Sequence, residues 1–200
     1  MDHSDDLGVL LSGEFFHRDL SSRFHSAMRE APRFPARVTK RGDYSVLPEV
    51  RNTNRLHLEP CWHDLFRERI AELKPRFEGH FMRKFGACQE PQFMAYSEGH
   101  FFRAHRDVGA ASEPPLITSR SLSIVVLLNP GQYEGGTLIL HDMGVPGSRI
   151  KIAGRPGGFI AFHPVVLHEV TPVTRGERYS IATWLERAVN HDRGSGQRPQ

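Results

Sequence analysis

Hydrophobic positions change their period once along this chain, near residue 91. Before it, Phe16, Leu20, Phe24 and Ala27/Met28 recur at helical spacing. That spacing predicts a helix over 15–30, ended by Pro32 and Pro35. Pro60 opens a second helix, with Trp62, Leu65, Phe66, Ile70 and Leu73 on one side. Pro75 is expected to break or kink it, while Phe77, Phe81 and Phe85 suggest a continuation. Such aromatic stripes suit packing against a sheet better than a cofactor box. Residues 36–58 are mixed, with short extended pieces at 37–38 and 44–47 and a polar stretch at 50–54.

From residue 92 the runs are short, β-branched and bounded by Gly and Pro. They predict strands over 92–97, 100–106, 121–128, 137–140, 150–153, 158–163, 167–173 and 177–185. The run SLSIVVLL (121–128) is apolar on both faces and reads as a central strand. The loops 108–119 and 141–149 are long enough to be functional. Helices first and about eight strands afterwards predict a mainly β (α+β) single domain. Its core is an antiparallel sandwich or barrel with helical support on one face. The expected organisation is a flexible arm over 1–13, a helical support region over 14–90, a β core over 91–187 and a disordered tail over 188–200. No phosphate loop, nucleophile elbow, repeat or heptad run occurs.

Composition narrows the class. Two hundred residues, 38% hydrophobic and 24% charged, suit one soluble domain. The longest apolar run, 124–128, cannot span a bilayer, and the first residues lack a signal-peptide pattern. The expected location is the cytoplasm, with no membrane partner. Cys61 and Cys88 are too few for a disulfide scaffold, and each is expected to be a small buried thiol. The net charge is only +3, and Lys and Arg are scattered from Arg18 to Lys84. That argues against a nucleic-acid partner and for a solvated basic surface favouring anionic substrates.

The candidate chemistry lies in YSEGHFFRAHRD, Tyr96 to Asp107. On a strand, His105 and Asp107 project to the same face and can reach one ion. Two His and a carboxylate on one face of an octahedron form the facial triad of non-haem Fe(II) oxygenases. The triplet by itself is weak: twelve His and nine Asp give roughly half a chance match, and His3/Asp5 and His17/Asp19 repeat it. His3/Asp5 falls in the arm, and His17/Asp19 falls in the first helix, where i and i+2 diverge. Only His105/Asp107 stands at a strand end. A surface His near a capping Asp is the plain alternative.

Candidates for a third ligand are His141, His163 and His168. His163, between Phe162 and Pro164, reads as structural or rim, and His100 as structural. His168 opens a late strand, and Arg178 follows ten residues later inside an otherwise apolar run. That Arg needs a partner: a carboxylate ligand, or an ion pair with Glu169, Glu177 or Glu186.

With these residues in view, the chain resembles the 2-oxoglutarate- and Fe(II)-dependent dioxygenases, specifically the prolyl 4-hydroxylase-like branch. The resemblance rests on Tyr96-x-x-Gly99, His105-x-Asp107, YEGGTL from Tyr133, Phe162-His163-Pro164 and LHEVTPVTRGERYSIATW from Leu167. It spans roughly Arg51 to Arg187. It implies a double-stranded β-helix (jelly-roll) core over 91–187, with N-terminal helices behind it. It also implies Fe(II) on His105, Asp107 and His168, with no catalytic residue beyond the metal site. Arg178 would hold the distal carboxylate of 2-oxoglutarate, with Tyr96, Leu138, Val170 and Trp184 walling its pocket. Leu127 stands where some prolyl hydroxylases carry a tyrosine, and Asp107 argues for hydroxylation over halogenation. O2 is the second co-substrate and ascorbate a further candidate cofactor. The implied reaction hydroxylates a prolyl or other amino-acid-type substrate, peptide or small molecule, with release of succinate and CO2. The segment 50–55 and the loops 108–119 and 141–149 are candidates for the substrate rim. The rival readings are a cupin-like metal enzyme that does not use 2-oxoglutarate, for which Arg178 has no purpose, and a non-enzymatic β-sandwich binding module.

Overall fold

The computed structural model describes residues 10–40, 43–109 and 113–188. Alternation along two long strands explains the architecture. In Arg178–Arg187, Tyr179, Ile181 and Leu185 enter one apolar cluster, while Arg178, Ser180, Ala182 and Trp184 line a cavity on the opposite face. In Arg120–Leu127, Leu122, Ile124 and Val126 join the first cluster. Val125 and Leu127 join a second. Arg120–Leu127 therefore has two apolar faces and needs cover on both, whereas Arg178–Arg187 has one apolar face and one that lines the cavity.

The two strands lie side by side at the centre of the larger sheet. Its antiparallel order runs Leu10–Glu14, Gly158–Phe162, Arg120–Leu127, Arg178–Arg187, Gln92–Tyr96, Asn54–Leu56, Arg33–Pro35, and Phe85–Cys88 also pairs with Arg178–Arg187. A second sheet runs Arg149–Lys151, Leu138–His141, His168–Val170, Phe101–His105, Arg51–Asn52. The second cluster joins the two: Leu127, Ile160 and Phe162 from the larger sheet meet Leu138, Leu140 and Val170 from the smaller. This is the two-sheet, mainly β core with helical support that the pattern predicts.

The helices α1 (Arg18–Glu30) and α2 (Pro60–His80) cover the other face of the larger sheet. Phe24 and Met28 of α1 and Phe66, Ile70, Leu73 and Phe77 of α2 are buried there. Phe66 is fully buried and stacks on Phe15 at 4.9 Å between ring centroids. Phe66→Ala should lower unfolding stability by about 3–5 kcal/mol in urea titration, the range for emptying a well-packed aromatic site. A loss below 1 kcal/mol would contradict this packing.

Several expectations need correction. Residues 1–13 are not wholly a loose arm, because Leu10–Glu14 pairs with Gly158–Phe162, with Leu10 and Leu11 buried on opposite faces. Residues 1–9 lie outside the described residues, as does the tail from 189. The region 14–90 supplies strands as well as helices, and Arg51–Asn52 and Asn54–Leu56 extend the two sheets. Pro75 does not end α2: only the Ala71 carbonyl loses its usual amide partner, and the buried stripe continues to Phe77. The run 167–173 is two strands, His168–Val170 and Val173–Arg175. Cys61 is exposed, because the second position of α2 lies off its buried stripe, and Cys88 is half-buried.

Where the Arg178–Arg187 strand begins is fixed by its neighbour. Glu177 accepts hydrogen bonds from Arg33 at 2.6 Å, Ser97 at 2.9 Å and the Tyr179 hydroxyl at 2.6 Å. The Arg33 bond, with those from Tyr179 and Ser97, outweighs burial and pulls the Glu177 carboxyl down to about 2; burial and Glu177 push Tyr179 up to about 12. A carboxyl lowered from its ordinary 4.5 stabilises the fold above that pH, and the gain is lost as pH falls towards 2. With the group over a third exposed, screening leaves about 1 kcal/mol. Glu177→Gln should flatten that part of the acid unfolding curve; an unchanged slope would contradict the assignment.

Candidate active site

The site is built where the smaller sheet meets the larger. His105 is the last residue of its strand and pairs in register with His168. Asp107 lies two residues on, just past the strand end, where its amide donates to the Pro164 carbonyl at 2.9 Å. The shared face predicted for His105 and Asp107 is thus completed by the turn after the strand. His105 Nε2 is 3.6 Å from Asp107 Oδ1, and His168 Nε2 is 3.6 Å from Asp107 Oδ2. One ligand atom from each residue lies within 4.8 Å of the others, and no other such cluster occurs among the described residues. His141 and His163 stand elsewhere. His141 bonds Glu169 at 3.2 Å, and His163 packs edge-on against Phe81.

The donor set is prepared for a cation. His105 Nδ1 is 2.8 Å from the Arg103 carbonyl, and His168 Nδ1 is 2.9 Å from that of Val166. A carbonyl only accepts, so each Nδ1 carries the proton and each Nε2 keeps a lone pair facing Asp107. Burial pushes the His168 pKa down, against the pull of Asp107. Burial alone would raise Asp107, but His168, His105 and the Ser123 hydroxyl hold it well below the usual carboxylate range. Metal binding needs the carboxylate ionised, and the low Asp107 pKa meets that need. Phe102 stacks on His105 at 3.6 Å, and Phe162 packs against His168 at 4.9 Å, fixing both rings.

These three side chains line a cavity of about 690 Å³ that also meets Tyr96, Leu138, Val170, Arg178 and Trp184. Arg178 is 1% exposed. It pairs in register with Tyr96, lies over that ring at 4.9 Å and donates from Nη1 to Ser180 Oγ at 2.7 Å. None of the three acidic candidates pairs with it. Glu169 holds Arg149 and His141, Glu177 holds Arg33, and Glu186 accepts from Gln89 and Ser119. Arg178 Nε, Arg51 Nε and Trp184 Nε1 are buried donors without a partner. Each such group costs about 1–3 kcal/mol. Unpaired donors on three residues of one cavity fit ligands that bring acceptor oxygens.

Sequence reasoning missed several contributors. Ser123 donates to Asp107 Oδ2 at 2.6 Å and orients the carboxylate. Its signal was present: Ser121 and Ser123 are polar positions in a buried apolar strand. Arg120 lies 3.5 Å over the Trp184 ring and donates to the Asp107 carbonyl. Of the expected rim, 50–55 and 108–119 reach the cavity through Val50, Arg51, Arg55, Gly109, Glu113 and Leu116. Loop 141–149 contributes none of the cavity's lining residues. It leaves the strand pairing beyond His141 and returns at Arg149 on the far edge of the smaller sheet. Leu127 lies beside a smaller cavity of about 210 Å³ that touches Arg178 from behind.

Residues 91–186 match the 2OG-Fe(II) oxygenase superfamily. A PKHD-type hydroxylase of Saccharophagus degradans is 35% identical over 106 residues, 51% of this chain and 45% of that protein. One of Paracoccus denitrificans is 36% identical over the same shares. The chain thus spans about half the length of the curated relatives it matches. Among solved structures, a Pseudomonas putida prolyl-4-hydroxylase superposes with a TM-score of 0.71 at 25% identity, covering 92% of this chain and 96% of that one. A Trichoplax adhaerens prolyl hydroxylase, solved with a hypoxia inducible factor peptide fragment, shares the fold at a TM-score of 0.74 and 15% identity, covering 91% and 84%. Over residues 91–186 the sequence matches the 2OG-Fe(II) oxygenase superfamily, and over most of its length the chain is similar in fold to prolyl 4-hydroxylases.

Proposed function

We propose that this protein is an Fe(II)- and 2-oxoglutarate-dependent hydroxylase of an amino-acid-type substrate. The observation that carries the reading is a buried arginine with an unpaired Nε in the same cavity as the His105, Asp107, His168 triad. A cupin-like site without 2-oxoglutarate has no use for that arginine, and a binding module has no use for the triad.

In this reading His105, Asp107 and His168 would hold the iron, a set of two imidazoles and one carboxylate that suits Fe(II). When bound, iron with 2-oxoglutarate and O2 supplies the oxidation of a substrate C–H bond, with release of succinate and CO2. Arg178 offers its fork to the distal carboxylate, and Ser180 and the Tyr96 ring hold that fork in place. Leu138, Val170 and Trp184 exclude water around the chain of the co-substrate. Ser123 keeps Asp107 oriented and ionised throughout. The two free thiols suit a reducing, cytoplasmic setting.

The reading is tested by mixing purified protein, Fe(II), 2-oxoglutarate and O2, with ascorbate as reductant, and measuring succinate. Slow succinate release is expected, and it should stop when either Fe(II) or 2-oxoglutarate is left out. Succinate formed at the same rate by His168→Ala would overturn the assignment.

A further inference from the structure

The outer part of the cavity carries charge that the co-substrate does not account for. Arg51 and Arg55 sit where the chain crosses from one sheet to the other. Arg51 pairs with Phe102 of the smaller sheet, and Arg55 with Met94 of the larger. Both line the cavity. The Arg51 guanidinium stacks on Phe102 at 4.6 Å and hydrogen-bonds Gln92 Oε1, Met94 Sδ, the Arg37 carbonyl and the Tyr96 side chain. Its Nε has no partner. The side chain of Arg55 has no hydrogen bond or ion pair among the described residues. Burial first, and the charge of Arg55 as well, push the Arg51 guanidinium below its ordinary value, against the pull of Tyr96 and Asp107.

Two cations lining one cavity repel, with Asp107 the one carboxylate that pulls on Arg51, and an anion placed between them relieves both. Exposed Arg37 and Arg106 at the rim extend the positive field that would draw such an anion in. One acidic group opposes them. Glu113 lines the same cavity, and its Oε2 is buried without a hydrogen bond. The other rim carboxylate, Glu90, is taken by Arg67 and His63. A neutral stretch of peptide satisfies neither the two guanidiniums nor the lone carboxylate. A dianionic phosphate suits the first and is repelled by the second.

Resting on the hydroxylase reading above, we propose that the substrate is a free amino acid. Its carboxylate is taken by Arg51 and Arg55, and its ammonium group by Glu113. The prolyl peptide mode belongs to the neighbour solved with a peptide, and the charges in this cavity select a zwitterion instead.

The test uses the anaerobic protein loaded with Fe(II) and 2-oxoglutarate, watching the visible band of the chelate while the twenty free L-amino acids are added one by one. At least one is expected to shift the band, while its C-terminal amide and its N-acetyl form do not. Arg51→Gln and Arg55→Gln should each raise the Kd of that amino acid at least tenfold and leave the Fe(II) and 2-oxoglutarate affinities within twofold. Arg55→Lys should recover part of the loss. Glu113→Gln should weaken the free amino acid and leave a des-amino analogue unchanged. The proposal is overturned if no amino acid shifts the band, if amide and acid act equally, or if both Gln variants bind like wild type. A wild-type protein with no band at all would instead overturn the hydroxylase reading itself.

Discussion

Asp107→Ala is expected to lose Fe(II) by at least a hundredfold in Kd, measured by anaerobic calorimetry with Fe(II) or Mn(II). The carboxylate is the only anionic member of the cluster. It lies 3.6 Å from each Nε2, so without it two neutral imidazoles remain against a dication. Loss of a supporting contact to a ligand costs about 10–100-fold, and loss of the charged ligand should exceed that. The fold should survive. The alanine leaves the Ser123 hydroxyl without its acceptor, a cost of about 1–3 kcal/mol, and removes a charge buried between two rings. Asp107→Asn keeps the shape and an oxygen for Ser123, so it separates charge from packing. Near-native metal affinity in Asp107→Ala would remove Asp107 from the ligand set.

Arg178→Ala is expected to weaken 2-oxoglutarate by about 150–4,000-fold while Fe(II) affinity stays within a few-fold. The magnitude is that of breaking a buried, charge-assisted pair, about 3–5 kcal/mol. The selectivity follows from position: Arg178 bonds Ser180 and faces Tyr96, and neither is a metal ligand. Arg178→Lys should recover only part, since a lysine ammonium has no planar fork. Titration of the Fe(II)-loaded protein with 2-oxoglutarate reads this directly. Equal loss of iron and co-substrate would mean that Arg178 supports the fold and does not hold the ligand.

The sequence was most legible where one physical rule acted alone. Short β-branched apolar runs bounded by turn residues located the strands around Arg120–Leu127 and Arg178–Arg187, and the i, i+2 rule with the strand-end setting singled out His105 and Asp107. The stripe from Trp62 to Phe77 announced α2 despite Pro75, because burial of four large side chains outweighs one lost hydrogen bond. What stayed hidden depends on contacts far apart in the chain. Leu10–Glu14 is too short a run to read as a strand until Gly158–Phe162 is beside it. The segment 50–55 was legible as a rim candidate, but which of its residues reach the cavity shows only in the pairing of Arg51 with Phe102 and Arg55 with Met94. Ser123 was visible as a polar residue in an apolar strand, but its target, Asp107, is sixteen residues away. The absence of an acidic partner for Arg178 could be read only from where Glu169, Glu177 and Glu186 actually go.

The central claim is that one cavity holds iron on His105, Asp107 and His168 and 2-oxoglutarate on Arg178. The most direct measurement is an anaerobic titration of the metal-free protein with Fe(II) and 2-oxoglutarate together, followed in the visible spectrum. The account predicts a charge-transfer band that needs both additions, saturates at one equivalent of each, and is lost in His105→Ala. No band in the wild-type protein, or an undiminished one in His105→Ala, would contradict it.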